Sequence, residues 1–302
     1  MEGNNYMSRI YDNLNLFIQY LLKAISGLFA LVSAVLLLMS KESLGIDTNC
    51  KALVVYIAIL VLALLWAIIR VFFYKENKIY GDGAGELILR YDDIWKIAFS
   101  KQRFWKKNKK KIVVVSVNTS FDTIVDEDIS IVKNPLVAPT TLHGQWVKQM
   151  QQHGTSIEEM NRSIQESLAV QGIVPLKIIE RTQKERGNLE CFEKGTVAIC
   201  KYGNTFFYLL ALSEFDEENK AQNTRNELIK TVEKLIEFYD ANGQGYDLYV
   251  PLLGTGRSRT GISMDEALQI MVSYFKIYKA RVKGKVKIIV YKKQRNSISL
   301  DI

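Results

Sequence analysis

Apolar positions are spread unevenly along the chain. Leu14 to Met39 is almost continuous, broken by Gln19, Lys23 and a few small residues; Ala52 to Ile69 is uncharged and continues through Val71-Phe72-Phe73 beyond Arg70. Each run is close to the ~20 residues that an α-helix needs to cross a hydrocarbon core. The polar linker Ser40 to Lys51 is short, so the pattern predicts an antiparallel hairpin of two transmembrane helices, at about 14–39 and 52–73. Two buried helices of a soluble core would be equally apolar, but adjacent uncharged runs of this length are unusual in soluble folds. Acidic Glu2 and Asp12 precede the first run, and no small-residue cleavage site follows it, which argues against a removed signal peptide.

Two crossings place both ends of the chain on one side. Arg9, Arg70, Lys75 and Lys78 flank that side, against Lys41 and Lys51 in the linker, so the expected location is the inner (plasma) membrane with both termini in the cytoplasm. Lys23 either snorkels to the interface or faces a partner helix. Ser26, Gly27, Ala30, Ser33 and Ala34 form a small-residue face suited to close helix packing, within the hairpin or between copies.

Beyond Tyr74 the periodicity changes. Tyr74 to Gly85, with three glycines, reads as a linker or hairpin turn, and Glu86 to Phe99 as amphipathic β structure. Ile112 to Val117 is an unbroken β-branched run, as expected of a strand buried on both faces. A short helix follows Gly144 through Met150, and Ser156 to Val170 is a second helix, with Ser156 as its cap. Gly195 to Cys200 and Thr205 to Leu212 read as a hairpin. Asn223 to Tyr239 is a helix, Tyr246 to Leu253 a strand, Met264 to Ala280 a helix and Val286 to Tyr291 a last strand. Strands alternating with helices predict an α/β fold of three layers. The expected division is 1–79 as membrane anchor and 80–302 as a cytoplasmic domain.

Charge and cysteine usage narrow the chemistry. The formal net charge is +8, which suits anionic lipid or nucleotide phosphate. Lys101 to Lys111 carries seven positive charges around Phe104 and Trp105. Beside a membrane anchor this run reads as a lipid-facing or solvated segment ahead of a nucleic-acid patch. The acidic cluster of Glu214, Asp216, Glu217 and Glu218 is a solvated loop or a match for the basic run of another copy. Three scattered cysteines and two histidines build neither a disulfide framework nor a metal centre, and Cys191 and Cys200 have no histidine placed to activate them.

The densest chemistry lies at Gly254-Thr255-Gly256-Arg257-Ser258-Arg259-Thr260-Gly261, between a strand and a helix opening near Ser263. Glycines let backbone N–H groups approach an anion, the helix start adds unpaired donors, and the arginines supply fork-shaped charge. The loop is either a phosphate cradle or a solvated turn. Asn118 ends the Ile112–Val117 strand, at the carboxyl edge where open α/β sheets bind ligands.

The order of these segments resembles the macrodomain, an ADP-ribose-binding α/β module with a mixed sheet and flanking helices. The match runs from Asp93-Ile94 after a strand, through Val117-Asn118, His143-Gly144 and Gly195-Thr196-Val197, to Pro251-Leu252-Leu253-Gly254-Thr255-Gly256. It covers roughly Glu86 to Lys292. On a two-helix anchor, the module is similar to the membrane-anchored effectors of Thoeris anti-phage systems. That resemblance implies that Asp93 accepts a hydrogen bond from an adenine amino group, with the Ile94 backbone nearby, and that Asn118 faces the distal ribose; the alternatives are that Asp93 caps a turn and Asn118 holds neighbouring loops together. It also implies that His143 and Gly144 belong to a first phosphate loop and Gly254 to Gly261 form a second. The first loop lacks the family's glycine run, having Pro139 to Gly144 instead, and Arg257 or Arg259 stands where an aromatic is usual. The arginines suit a ligand with an extra carboxylate.

What the resemblance implies is a sensor and not an enzyme, with no catalytic residue, metal or cofactor. Its ligand would be an ADP-ribose derivative, a histidine conjugate made from NAD by a TIR-domain partner. Binding would assemble the chain into homo-oligomers that damage the membrane. A membrane-tethered ADP-ribosyl hydrolase and a passive scaffold for ADP-ribosylated partners are the alternatives.

Overall fold

The computed structural model describes residues 14–39, 43–46, 48–81, 85–100, 109–128, 132, 135–215, 221–222, 224–254, 261–295 and 297–302. The chain divides into two compact units, one of Met1–Glu76 with Lys293–Ile302, the other of Asn77–Lys292.

In the first unit the two apolar runs are helices, α1 (Leu14–Leu38) and α2 (Asn49–Phe73), with Thr48 capping the second through Lys51 N. Both are long and apolar enough to cross a membrane. They run antiparallel: Tyr20 meets Trp66 edge-on at 5.8 Å near one end, and Phe29 meets Tyr56 at 5.5 Å further along. Ile59, Ala63, Ala67 and Val71 form the buried stripe of α2, with Ala63 and Ala67 fully covered, so small residues bring the helices close. The small-residue face of α1, Ser26, Gly27, Ala30, Ser33 and Ala34, is exposed and is not used within the hairpin. Leu22, Leu31, Leu53, Val54 and Leu65 present apolar surface outward, which water disfavours and a bilayer accepts. The carboxyl tail joins this unit. Arg295 donates to the carbonyls of Val71 and Tyr74, closing the end of α2.

In the second unit the β-branched run becomes β3, at the middle of a sheet. The strands are β1 (Glu76–Gly81), β2 (Glu86–Asp92), β3 (Lys111–Asn118), β4 (Lys177–Ile178), β5 (Glu190–Cys191), β6 (Val197–Tyr202), β7 (Thr205–Phe215), β8 (Ala221–Gln222), β9 (Asp247–Pro251) and β10 (Lys285–Tyr291). The main sheet has the order β1-β2-β10-β9-β3-β7-β6, with β8 paired to β7; β4 and β5 form a separate two-stranded arm. From β2 to β7 the strands are parallel, and β6 closes the edge antiparallel to β7. The helices are α3 (Ile94–Ala98), α4 (Leu142–Gln152), α5 (Ile157–Val170), α6 (Arg225–Asn242) and α7 (Met264–Ile277).

Alternation along β7 assigns the layers. Phe207, Leu209 and Ala211 enter a core with Val113, Val115, Trp146, Met160 and Ile164, while Tyr208 between them meets Phe238 of α6 at 5.1 Å. Helices α4 and α5 therefore cover one face and α6 the other, giving the three-layer α/β fold and mixed sheet that the sequence predicts. Capping boxes at Ser156 and Thr224 start α5 and α6.

Several boundaries differ from expectation. Tyr74 to Gly85 contains strand β1 and is more than a linker. Glu86 to Phe99 is β only to Asp92; Asp93 then caps α3 through the N–H groups of Trp95 and Lys96. Helix α7 stops at Ile277, ahead of a 3-10 turn at Lys279–Arg281.

Candidate functional site

The parallel strands all end on one edge, and their registers align the expected ligand residues. Tyr291 lies opposite Asp92, so the next step places Lys292 beside Asp93. Ile289 lies opposite Pro251, and the same register continued brings Lys292 level with Gly254. Val113 lies opposite Tyr249, and Asn118 closes β3 on that same edge. Asp93, Gly254 and Asn118 thus follow or close the carboxyl ends of β2, β9 and β3, with β10 between β2 and β9. Three strand spacings separate the ends of β2 and β3, about 14 Å.

Asp93 is partly committed. Its Oδ1 accepts from Trp95 N at 3.1 Å and Lys96 N at 3.4 Å, while Oδ2 faces Lys292 Nζ at 3.8 Å. Ile94 is buried in the core beneath it. Gly254 sits at φ 78°, a left-handed conformation that a side chain disfavours, and Gly261 at φ 71°. Leu252 N–H bonds to Ile289 O at 3.2 Å and Leu253 is buried, so the strand delivers Gly254 to a fixed place. Thr255, Gly256, Arg257, Ser258, Arg259 and Thr260 lie outside the described residues. So does most of the basic run.

Asn118 is buried, and its carboxamide is held at both ends by Asp122. Nδ2 donates to Asp122 Oδ2 at 2.8 Å, and Oδ1 accepts Asp122 N–H at 3.0 Å. Asp122 is fully buried and paired with Lys184 Nζ at 2.8 Å. Nearby Arg186 grips Asp126 bidentately at 2.7 and 3.1 Å, and Leu136 N–H adds a third bond. Burial disfavours the Asp126 charge, but the Arg186 and Leu136 bonds outweigh it and hold the carboxyl below its ordinary range.

His143 and Gly144 lie in the first turn of helix α4. Thr141 caps α4 and already takes the Gly144 N–H at 3.1 Å. A Cβ at Gly144 would lie 2.2 Å from Ala138 O, so the glycine serves a close backbone approach. His143 is buried and bonds to the Asp122 backbone carbonyl; burial lowers its pKa to about 3, which keeps the ring neutral. Both residues support the loop after β3 from below.

Cys191 and Cys200 are buried free thiols, and burial pushes Cys200 up to about 11, against a bond from Ser163, so it is no nucleophile. Among the described residues, no group of three His, Cys, Asp or Glu is arranged for a metal ion. A groove of about 520 Å³ lined by Ile173, Pro175, Gly195, Lys234 and Phe238 contains none of the expected site residues.

Residues 91–291 match the protein family described as Thoeris protein ThsA, Macro domain. The chain belongs to this family. A curated relative, Thoeris protein ThsA of Bacillus amyloliquefaciens (strain Y2), is 27% identical over 267 residues, covering 85% of this chain and 80% of the relative. Solved macrodomains are more distant. The Oceanobacillus iheyensis macrodomain with ADP shares 12% identity at a TM-score of 0.39, covering 74% of this chain and 91% of its own. The Trypanosoma brucei macrodomain in complex with ADP-ribose shares 8% at 0.37, covering 70% and 66%.

Three residues of this macro domain's edge went unforeseen. Lys292 follows directly on the apolar strand Val286 to Tyr291, and a cation at a strand's carboxyl end was a readable signal. Asp122 and Lys184 were not readable: they are 62 positions apart, and nothing local in either segment announces the pair.

Proposed function

We propose that this chain is the sensor and effector of a Thoeris defence system, reading an ADP-ribose derivative in its macro domain. The observation that carries this is the row of Asp93, Gly254 and Asn118 along one sheet edge, in an order that suits adenine, diphosphate and distal ribose of one extended ligand. Among the described residues, Asp93 Oδ2 faces a 3.8 Å ion pair with half-exposed Lys292, which an adenine amino group can replace. Gly254 to Gly261 leads into Ser263 at the start of α7, where backbone N–H groups favour phosphate. Arg257 and Arg259 add charge for a carboxylate beyond the second ribose, which favours an amino-acid conjugate, the histidine adduct made by a TIR-domain partner. His143 and Gly144 act as supports: Thr141 takes the Gly144 N–H, and the His143 ring is buried against the Asp122 backbone.

Two helices per chain cannot enclose a pore, so membrane damage requires several copies to associate when ligand favours the assembled state. The test is the full chain reconstituted in dye-loaded vesicles of plasma-membrane composition, with ADP-ribose or its histidine conjugate added and the ligand followed by chromatography. Dye release with the conjugate intact supports the sensor. Steady consumption of ligand without release means a tethered hydrolase, and no response or binding with either ligand overturns the proposal.

A further inference from the structure

We infer that the arm from Lys177 to Cys191 is a clamp that fixes the orientation of Asn118, with Lys184 as its positioning residue, and so governs affinity for the part of the ligand beyond the diphosphate. The inference rests on the ADP-ribose reading of the site.

Asn118 needs such a device because β3 releases it. The pairing of β3 with β7 is regular to Val117 and shifts between Val117 and Asn118, so the ladder no longer sets the residue's position. What replaces the ladder is Asp122, bonded to both ends of the Asn118 carboxamide. Asp122 is itself held by the arm. Lys184 Nζ donates to both its oxygens, at 3.1 and 2.8 Å, and Asn188 N–H donates to Oδ1 at 2.7 Å. Lys184 is also fixed to its own arm through Asn188 O at 2.6 Å. The Asn188 amide then donates to the carbonyls of Ser120 and Phe121 at 3.1 and 2.9 Å. Phe121 sits at φ 50°, an unfavourable place for a bulky residue, and these bonds keep it there.

The fit is close enough to exclude a methyl group. Gly187 sits at φ 80°, and a Cβ there would lie 2.2 Å from Asp122 Oδ1. The arm has two further anchorages: β4 pairs with β5, and Arg186 grips Asp126. Lys184 and Asp122 are almost wholly enclosed, with side chains 12% and 0% exposed, so their attraction is little screened and neither has water as a substitute. Lys184 touches no ligand position itself; it acts through Asp122 on Asn118.

The test compares calorimetric titrations of ADP-ribose and ADP into the full detergent-solubilised chain and its variants, each checked by thermal unfolding. ADP ends where Asn118 begins to matter, so it separates a positioning role from a structural one. Loss of one well-placed hydrogen bond predicts that Lys184→Met weakens ADP-ribose about ten-fold while changing ADP less than about two-fold. Lys184→Arg restores most of the difference. Gly187→Ala, which displaces the Asp122 carboxylate from the other side, gives the same selective loss. Equal losses for both ligands in variants that still unfold cooperatively, or no loss for either, would overturn the clamp. Wild-type chain that binds neither ligand would instead sink the reading of the site on which the clamp depends.

Discussion

His143 gives the most quantitative handle on this site. It is enclosed between α4 and the loop after β3, and burial lowers its pKa from 6.5 to about 3, with only the bond to the Asp122 carbonyl working the other way. The sign follows directly. In the unfolded chain the imidazole binds a proton once pH falls below 6.5, whereas the folded chain refuses it until about 3. The stability due to a neutral His143 is therefore complete above pH 6.5 and is lost progressively as pH falls toward 3. Between pH 7.5 and 5.0 the gap amounts to one and a half decades of protonation, or about 2 kcal/mol at 1.36 kcal/mol per unit. For a unit of this size that is roughly a 4–8 °C fall in Tm. The assay is thermal unfolding of the detergent-solubilised chain by tryptophan fluorescence at the two pH values, for wild type and His143→Gln. The carboxylates with lowered pKa values, Glu86, Asp126, Glu158 and Glu227, are common to both proteins. The wild-type Tm should fall by that extra amount relative to the variant. Equal falls would refute the neutral, buried assignment and with it the place of His143 beneath the loop after β3.

Two further outcomes separate structural from ligand roles. Gly144→Ala forces a methyl against the Ala138 carbonyl. It should cost about 2 kcal/mol of stability, read as a Tm fall, while leaving ligand affinity unchanged at temperatures where the variant is folded; a selective loss of affinity would return Gly144 to the phosphate site. Arg295→Ala removes a charged donor from the end of α2. Amide exchange in the last turn, Arg70 to Tyr74, should then rise about ten-fold in the full chain, and unchanged exchange would mean that the tail does not secure that helix.

The legible parts of this fold were those where one segment carries its own signal. Ile112 to Val117 declared a central strand because both of its faces are buried, and the two long apolar helices declared themselves by length and scarcity of charge. Helix α3 was too short for periodicity to reveal, although Asp93 followed by polar N–H demand is a cap signature. The arm of β4 and β5 has two-residue strands and no alternation to read. Asp93 and Asn118 were singled out by their places in the chain, and the strand order showed that the ends of β2, β9 and β3 share one edge of the sheet. The start of α4 at Leu142 was hidden because Pro139 and Thr140 look like loop while Thr141, the cap, turns the next residues into helix. Long-range pairs such as Asp122 with Lys184 leave no local trace, since either residue alone reads as ordinary surface charge.

The row of Asp93, Gly254 and Asn118 is tested most directly by calorimetric titration of ADP-ribose into the full chain, with Asp93→Ala and Asn118→Ala beside wild type. Saturable binding to wild type, weakened about ten-fold or more in each variant, is the predicted result. Wild-type binding that neither substitution alters would place the ligand elsewhere on the molecule, and the alignment of the three strand ends would then have no part in recognising it.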